Sequence, residues 1–351
     1  MKKTALNEEH KKLKAKMVDF AGWEMPIQYT GIIHEHKAVR ELAGVFDVSH
    51  MCVLDVRGDS AFDFLQYVTI NDVAKLKIYG AQYSMVLDKE GQILDDIIVS
   101  RMDGYFRLVL NSSNADKIKK WFELMKKENN YDITLNYRED LSILALQGPK
   151  SQQILEEILG VKISLNSFYF MKTNWQGEDI AVSRTGYTGE LGYEIFISNQ
   201  LAPLLWQKII NKGVTPAGLG ARDTLRIEAG LPLYGKEIVA DITAYDLGYS
   251  WIVSLLKGEF LGKTKLVTAT KDKRLYGCIL EDKGVLRDGY EVLGHGKITS
   301  GTFSPTLGTA IGMFYSEKNP KENEGISVVI RGKEFKGRVI NLPFLKKKIN
   351  K

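Results

Sequence analysis

The stretch EGQILDDIIVS, residues 90–100, sets Asp95 and Asp96 side by side in an otherwise apolar run. Residues 93–99 are short, rich in Ile and Val, and follow the turn signal Lys89-Glu90-Gly91, so they read as a β-strand. Successive side chains of a strand point to opposite faces, and the two carboxylates therefore diverge. If the strand lies at a sheet edge, one aspartate reaches solvent. The other then points at whatever the strand packs on, where an ionised carboxylate needs an ion-pair or hydrogen-bond partner. Taken alone, two polar residues at a strand end are the simpler reading, and one functional aspartate is the sharper one.

Outward from this strand, residues 51–137 alternate strand and helix patterns. MCVLDVRG, YFRLVLN and DITLNY read as strands. Helical periodicity covers residues 59–70, opened by Asp59 as a cap, and residues 114–130. The order strand, helix, strand, strand, helix, strand is an α+β pattern with an antiparallel sheet. A further helix is expected over residues 149–160, with Pro149 in its first turn. After LGKTKLVTATKDKR, residues 261–274, the texture changes. Short β-patterned runs (LYGCILE, YEVLG, KITSGTFS, ISVVIRGKEFKGRVI) alternate with Gly and Asp turns, which predicts a small antiparallel barrel or sandwich.

A chain of 351 residues exceeds the usual size of one core, so two or three domains are expected. Its 44% hydrophobic and 26% charged residues place it among ordinary globular proteins rather than disordered ones. The net charge of +5 is modest, and its basic runs, HKKLKAK at 10–16 and LKKKINK at 345–351, read as a solvated helix face and a loose tail. No basic run is interleaved with aromatics, which argues against nucleic-acid binding. The two cysteines, Cys52 and Cys278, lie far apart with no CxxC or histidine partner. That pattern points to a reducing compartment and away from a disulfide frame or a zinc site. The start, MKKTALNEEHKK, has no apolar core region, and no run approaches a membrane span. A cytoplasmic protein that neither enters a membrane nor holds a metal is expected.

Three further constellations bear on chemistry. GLGARDTLRIEAG, residues 218–230, begins like a dinucleotide fingerprint, but Asp223 occupies the third glycine position. A helix from about Ala221 fits better, with Arg222 and Arg226 at i and i+4 on one face, either binding an anion or paired with Asp223 and Glu228. SRTGYTGELGYE, residues 183–194, spaces glycines at 186, 189 and 192, which suits a tight loop whose backbone approaches a ligand or another chain. Tyr187, Glu190 and Glu194 are its stacking and hydrogen-bonding groups. In HEH, residues 34–36, the histidines read as solvated helix-face residues, because no cluster completes a metal site.

These pieces, in this order, resemble the aminomethyltransferases, or T-proteins, of the glycine cleavage system. The likeness rests on KMVDFAGWEMPIQY (16–29), AGVFDVSHM (43–51), ILDDIIV (93–99), LALQGPKSQ (144–152), SRTGYTGELGYE, AGLGARDTLRIEAGLPLYG (217–235) and ITSGTFSPTLGTAIGM (298–313). Seven co-linear motifs covering nearly the whole chain are a strong signal where any one is weak.

The resemblance implies a cloverleaf around tetrahydrofolate. Residues 1–271 would form the folate-binding region, as two interwoven parts, roughly 1–50 with 138–271 and 51–137. Residues 272–351 would form the C-terminal β-barrel domain. It implies transfer of a methylene group from an aminomethyl-lipoyl H-protein to tetrahydrofolate, giving 5,10-methylenetetrahydrofolate and ammonia. Asp96 is then the catalytic aspartate and Asp95 a structural one. A free Asp with a pKa of about 3.9 is ionised at neutral pH, which favours electrostatic stabilisation over proton donation. By the same matching Tyr83, Asn111, Tyr187, Glu194 and Arg226 contact the folate, Arg226 taking the glutamyl tail or supporting Asp96, and Trp251 closes the pocket. The carrier is expected to dock near the junction with the barrel. The chain departs from the family pattern at Gln92, Cys52 and Thr243-Ala244. Two relatives share the fold: tetrahydrofolate-dependent demethylases, and a non-catalytic folate-binding protein that carries a cysteine motif where this chain has Arg184-Thr185-Gly186-Tyr187.

Overall fold

The computed structural model describes residues 1–270 and 272–345, so the expected loose tail at 345–351 lies, apart from Leu345, outside the described residues. The strand that carries both aspartates runs Ile93–Met102. It is second in a five-stranded sheet ordered Ala81–Leu87, Ile93–Met102, Tyr105–Leu110, Cys52–Arg57, Thr134–Tyr137, with every neighbouring pair antiparallel. It is therefore not an edge strand, and neither aspartate escapes to solvent by that route. The edge is Ala81–Leu87, a strand absent from the order expected above. Its first half, Gln82-Tyr83-Ser84, is too polar to show β patterning. Helices Ala61–Val68 and Ala115–Glu128 cover one face of this sheet, where Phe64, Leu65, Ile118 and Phe122 pack on Leu54, Ile97 and Val99.

A second sheet has six strands, ordered Phe170–Trp175, Glu178–Ser183, Gly192–Ser198, Leu141–Gln147, Gly44–Asp47, Thr215–Pro216. Its last pair is parallel and the rest are antiparallel. Helices Ser151–Leu159 and Ala202–Asn211 cover one face through Leu155, Leu205 and Trp206. The other face meets the first sheet: Phe46, Ile143, Ala145, Phe170 and Phe196 share a core with Val53, Ala81 and Met102.

The C-terminal runs form a closed six-stranded barrel, ordered Arg274–Leu280, Thr309–Ser316, Gly296–Ser304, Glu291–Val292, Gly325–Ile330, Lys333–Ile340. Closure satisfies both edges, which a sandwich of such short strands would leave open. Helix Leu219–Glu228 lies between the three bodies, beginning two residues before the expected start. Ala221 and Leu225 enter the core between the sheets, while Ile227 joins Leu275, Ile311 and Met313 of the barrel. Truncating a fully buried residue such as Leu225 to Ala costs about 2–5 kcal/mol.

Two histidines depart from the solvated reading. His10 is fully buried between Asp47 (2.9 Å) and the Tyr29 hydroxyl (2.9 Å). His36 is fully buried as well, and only His34 is exposed. No helix of the described residues is long and apolar enough to cross a membrane.

Candidate active site

The aspartate pair is built by an irregularity in its own strand. Val86 pairs with Asp95 and Leu87 with Ile93, so Leu94 is an extra residue. A bulge of this kind re-aims the side chains that follow it. Beyond it the alternation is strict: Asp95 points with Ile97 and Val99 to the helix-covered face, and Asp96 points to the other.

Asp95 is fully buried and accepts from the Asn111 backbone N–H (3.0 Å), the Asn111 amide (2.8 Å) and the Asn114 amide (2.6 Å). It thus closes the turn that leads into helix Ala115–Glu128, where a negative charge also complements the helix N-terminus. Burial, together with the charge of Asp96, pushes its carboxyl up to about 7.

Asp96 accepts from the Tyr83 hydroxyl at 3.0 Å on one oxygen and from the Asn111 amide at 2.8 Å on the other. Burial raises its pKa, and the bonds from Tyr83 and Asn111 oppose that rise. Asn111 is therefore a clamp between the two carboxylates: its amide also donates to the Asp96 carbonyl at 3.0 Å. Tyr83 stacks edge-on to Tyr249 (5.6 Å between centroids), and Tyr249 lies 5.9 Å from Trp251, which is 64% exposed. An aromatic ladder therefore runs from solvent to Asp96. Thr243 and Asp246 hold its outer end, Asp246 accepting from the Thr243 backbone N–H (2.7 Å) and hydroxyl (2.8 Å) in a turn just before Tyr249.

Beside Asp96 lies a narrow cleft lined by Phe46, Val48, Gln147, Tyr187, Glu194 and Arg222. Glu194 accepts from the Thr185 hydroxyl on one oxygen, leaving the other without a protein donor among the described residues. Burial raises its pKa. The Arg222 guanidinium sits over the Tyr187 ring at 4.5 Å, and among the described residues it has no hydrogen-bond or ion-pair partner. Its charge reaches Asp96.

Arg226 is in a different situation from the one expected of a ligand contact. It donates to Asp223 (2.8 Å), the Leu231 carbonyl (3.1 Å), Glu237 (3.1 Å) and Ser300 Oγ (2.8 Å), and is 3% exposed. Four of its five N–H groups are thereby engaged inside the protein. Of the two arginines on this helix face, Arg222 is the one left open to a ligand. Position i against i+4 in the sequence did not separate them; the acidic Glu237, eleven residues beyond Arg226, decides which is neutralised.

The glycine loop owes two of its glycines to a protein side chain rather than to a ligand. A Cβ at Gly186 or Gly192 would stand 2.0 or 2.3 Å from the Gln147 amide. Gln147 donates to the Thr185 carbonyl (3.2 Å) and accepts from the Thr188 hydroxyl (3.0 Å), pinning the loop from below. Cys52 is half-buried, and burial with the nearby Asp95 charge pushes its thiol up to about 11, so it is no thiolate nucleophile. Among the described residues, no group of three or more His, Cys, Asp or Glu side chains is placed to hold a metal ion.

Comparison with known proteins places this site in context. Residues 6–257 match the family model described as the GCVT N-terminal domain, and residues 273–346 match the glycine cleavage T-protein C-terminal barrel domain. The chain is 42% identical to an aminomethyltransferase of Thermoanaerobacter sp., over 100% of this chain and 99% of the relative. It is likewise 42% identical to one from Desulfitobacterium hafniense, over 99% of each. The crystal structure of the glycine cleavage system aminomethyltransferase T from Bartonella henselae superposes with a TM-score of 0.92 at 32% identity, covering 99% of this chain and 98% of that one.

Proposed function

The chain belongs to the glycine cleavage T-protein family and is an aminomethyltransferase of that system, and from that premise we propose which of its residues carry the transfer. The donor is the aminomethyl group on the lipoyl arm of the carrier H-protein, and the acceptor is tetrahydrofolate. The donor carbon loses its bonds to sulfur and to the amine nitrogen and gains bonds to two folate nitrogens. The two folate N–H protons end on ammonia and on the carrier thiol.

Asp96 is the catalytic residue. The observation that carries this reading is a carboxylate fixed by Tyr83 and Asn111 at the inner end of the aromatic ladder, beside the cleft of Arg222 and Glu194. Carbon–nitrogen cleavage leaves positive charge on the methylene carbon, and a fixed anion stabilises it. Because burial raises its pKa, Asp96 is also a competent base for a folate N–H and can return that proton to the departing amine. This widens the purely electrostatic role expected from an unperturbed aspartate.

Glu194, with one free oxygen, accepts the pterin ring's N–H donors, and Arg222 supplies the complementary guanidinium over Tyr187. Tyr83 and Asn111 act through Asp96, and Trp251 forms the rim through which the arm enters. Arg226 holds its helix against the barrel. The test is methylenetetrahydrofolate formation from a lipoylated carrier. Asp96→Asn is expected to lower kcat by about 10²–10⁴-fold, with tetrahydrofolate still bound. Full activity in that variant would remove Asp96 from the mechanism.

A further inference from the structure

One guanidinium outside the cleft engages all five of its N–H donors. Arg40, on helix Ile32–Glu41 and 11% exposed at its side chain, donates to the Thr188 carbonyl (2.7 Å) and to Glu190 (2.9 Å) of the glycine loop. From its other side it donates to Glu228 through Nε (3.1 Å) and through a terminal nitrogen (2.9 Å), and to the Leu225 carbonyl (3.2 Å). Both ends bear on the cleft. The loop carries Tyr187 one residue before Thr188, and the helix that ends at Glu228 carries Arg222, which lies over the Tyr187 ring.

Glu228 is in turn seated by the barrel. Fully buried, it accepts from the Ser304 hydroxyl, the Thr306 N–H (3.1 Å) and the Thr306 hydroxyl (2.9 Å), and pairs with His36 at 3.1 Å. The His36 Nδ1 shares a hydrogen bond with Thr224 Oγ1 (2.7 Å), which also lies 2.9 Å from the Ala221 carbonyl.

We propose that Arg40 is a positioning residue for tetrahydrofolate: it fixes the distance between the Tyr187 loop and the Arg222 helix, with the Ser304–Thr306 turn of the barrel as its rear support through Glu228. This rests on the folate reading of the cleft. A lysine at position 40 keeps the charge but has three donors on one nitrogen, and it cannot span loop and helix together. The loop would then sample open arrangements, and binding would weaken by the fraction of time the cleft is assembled.

The experiment measures tetrahydrofolate Kd by fluorescence and carrier KM by turnover, in the wild type, Arg40→Lys and Glu190→Gln, with thermal melts of each. Glu190 is partly exposed and outside the cleft, so Glu190→Gln keeps the test alive if Arg40→Lys fails to fold. The expected result is a rise in tetrahydrofolate Kd of about tenfold for Arg40→Lys and about threefold for Glu190→Gln, with carrier KM within about twofold of wild type. Folded variants with unchanged tetrahydrofolate Kd, or with both constants raised equally, would overturn the proposal. A wild-type protein that binds no tetrahydrofolate would instead bring down the folate reading on which it stands.

Discussion

Asp95 and Asp96 are neighbours in sequence and opposites in environment. Asp95 accepts three N–H donors and closes a turn, while Asp96 accepts a phenol and one amide on the opposite face of the strand. The Tyr83 bond gives a pH prediction with a definite sign. A hydrogen bond to the ionised carboxylate lowers its pKa, so Tyr83→Phe lets Asp96 rise further. Activity that requires ionised Asp96 grows as pH rises through that pKa. The acid limb of kcat/KM is therefore expected to move to higher pH in Tyr83→Phe, by about one unit. Stopped-time assays from pH 5 to 9 measure it, and a limb that stays in place or moves down contradicts the assignment.

At the scale of elements, helix Leu219–Glu228 separates two arginines that the sequence presents as equivalent. Arg222→Lys removes a planar donor set that no described protein group uses. Tetrahydrofolate Kd is expected to rise about tenfold, about 1.4 kcal/mol, with the melting temperature little changed. Arg226→Lys breaks bonds to Asp223 and Ser300 inside the protein and is expected to cost about 2 kcal/mol of stability before any effect on folate. Denaturant titration beside folate binding separates the two, and the opposite pattern would exchange the roles of the two arginines. The same contrast explains what was legible in the sequence. The strand of Asp95 and Asp96, both helices on its sheet and the barrel runs were readable, because apolar periodicity and turn residues record them locally. The edge strand Ala81–Leu87 was not, since Gln82, Tyr83 and Ser84 interrupt its apolar pattern, and Tyr83 serves Asp96 rather than a core. The surroundings of Arg222 and His36 are not written locally either, because the groups near them come from residues far along the chain.

On the scale of the whole molecule, the carboxylate of Glu228 is where helix Leu219–Glu228, helix Ile32–Glu41 and the barrel are joined, and it links stability to pH. Burial alone would raise its pKa. The hydrogen bond and charge of His36, the Ser304 hydroxyl and the charge of Arg40 overcome that and bring it down to about 2. The unfolded chain titrates this group near 4.5. A depressed folded-state value means that the stabilisation is fully present above the unfolded pKa and is lost as pH falls from about 4.5 toward 2. Its size follows from the shift, about 3 kcal/mol at neutral pH. Glu228→Gln keeps the shape but leaves Arg40 and His36 without their anion, and breaking a buried pair from one side costs about 3–5 kcal/mol. At pH 7 the variant is therefore expected to be less stable than wild type by about that amount. Between pH 5 and 3 the gap should narrow, because the wild type loses the Glu228 contribution there and the variant has none to lose. Denaturant unfolding at pH 7, 5 and 3 measures the gap; one that stays constant would show that Glu228 contributes by packing and not by charge.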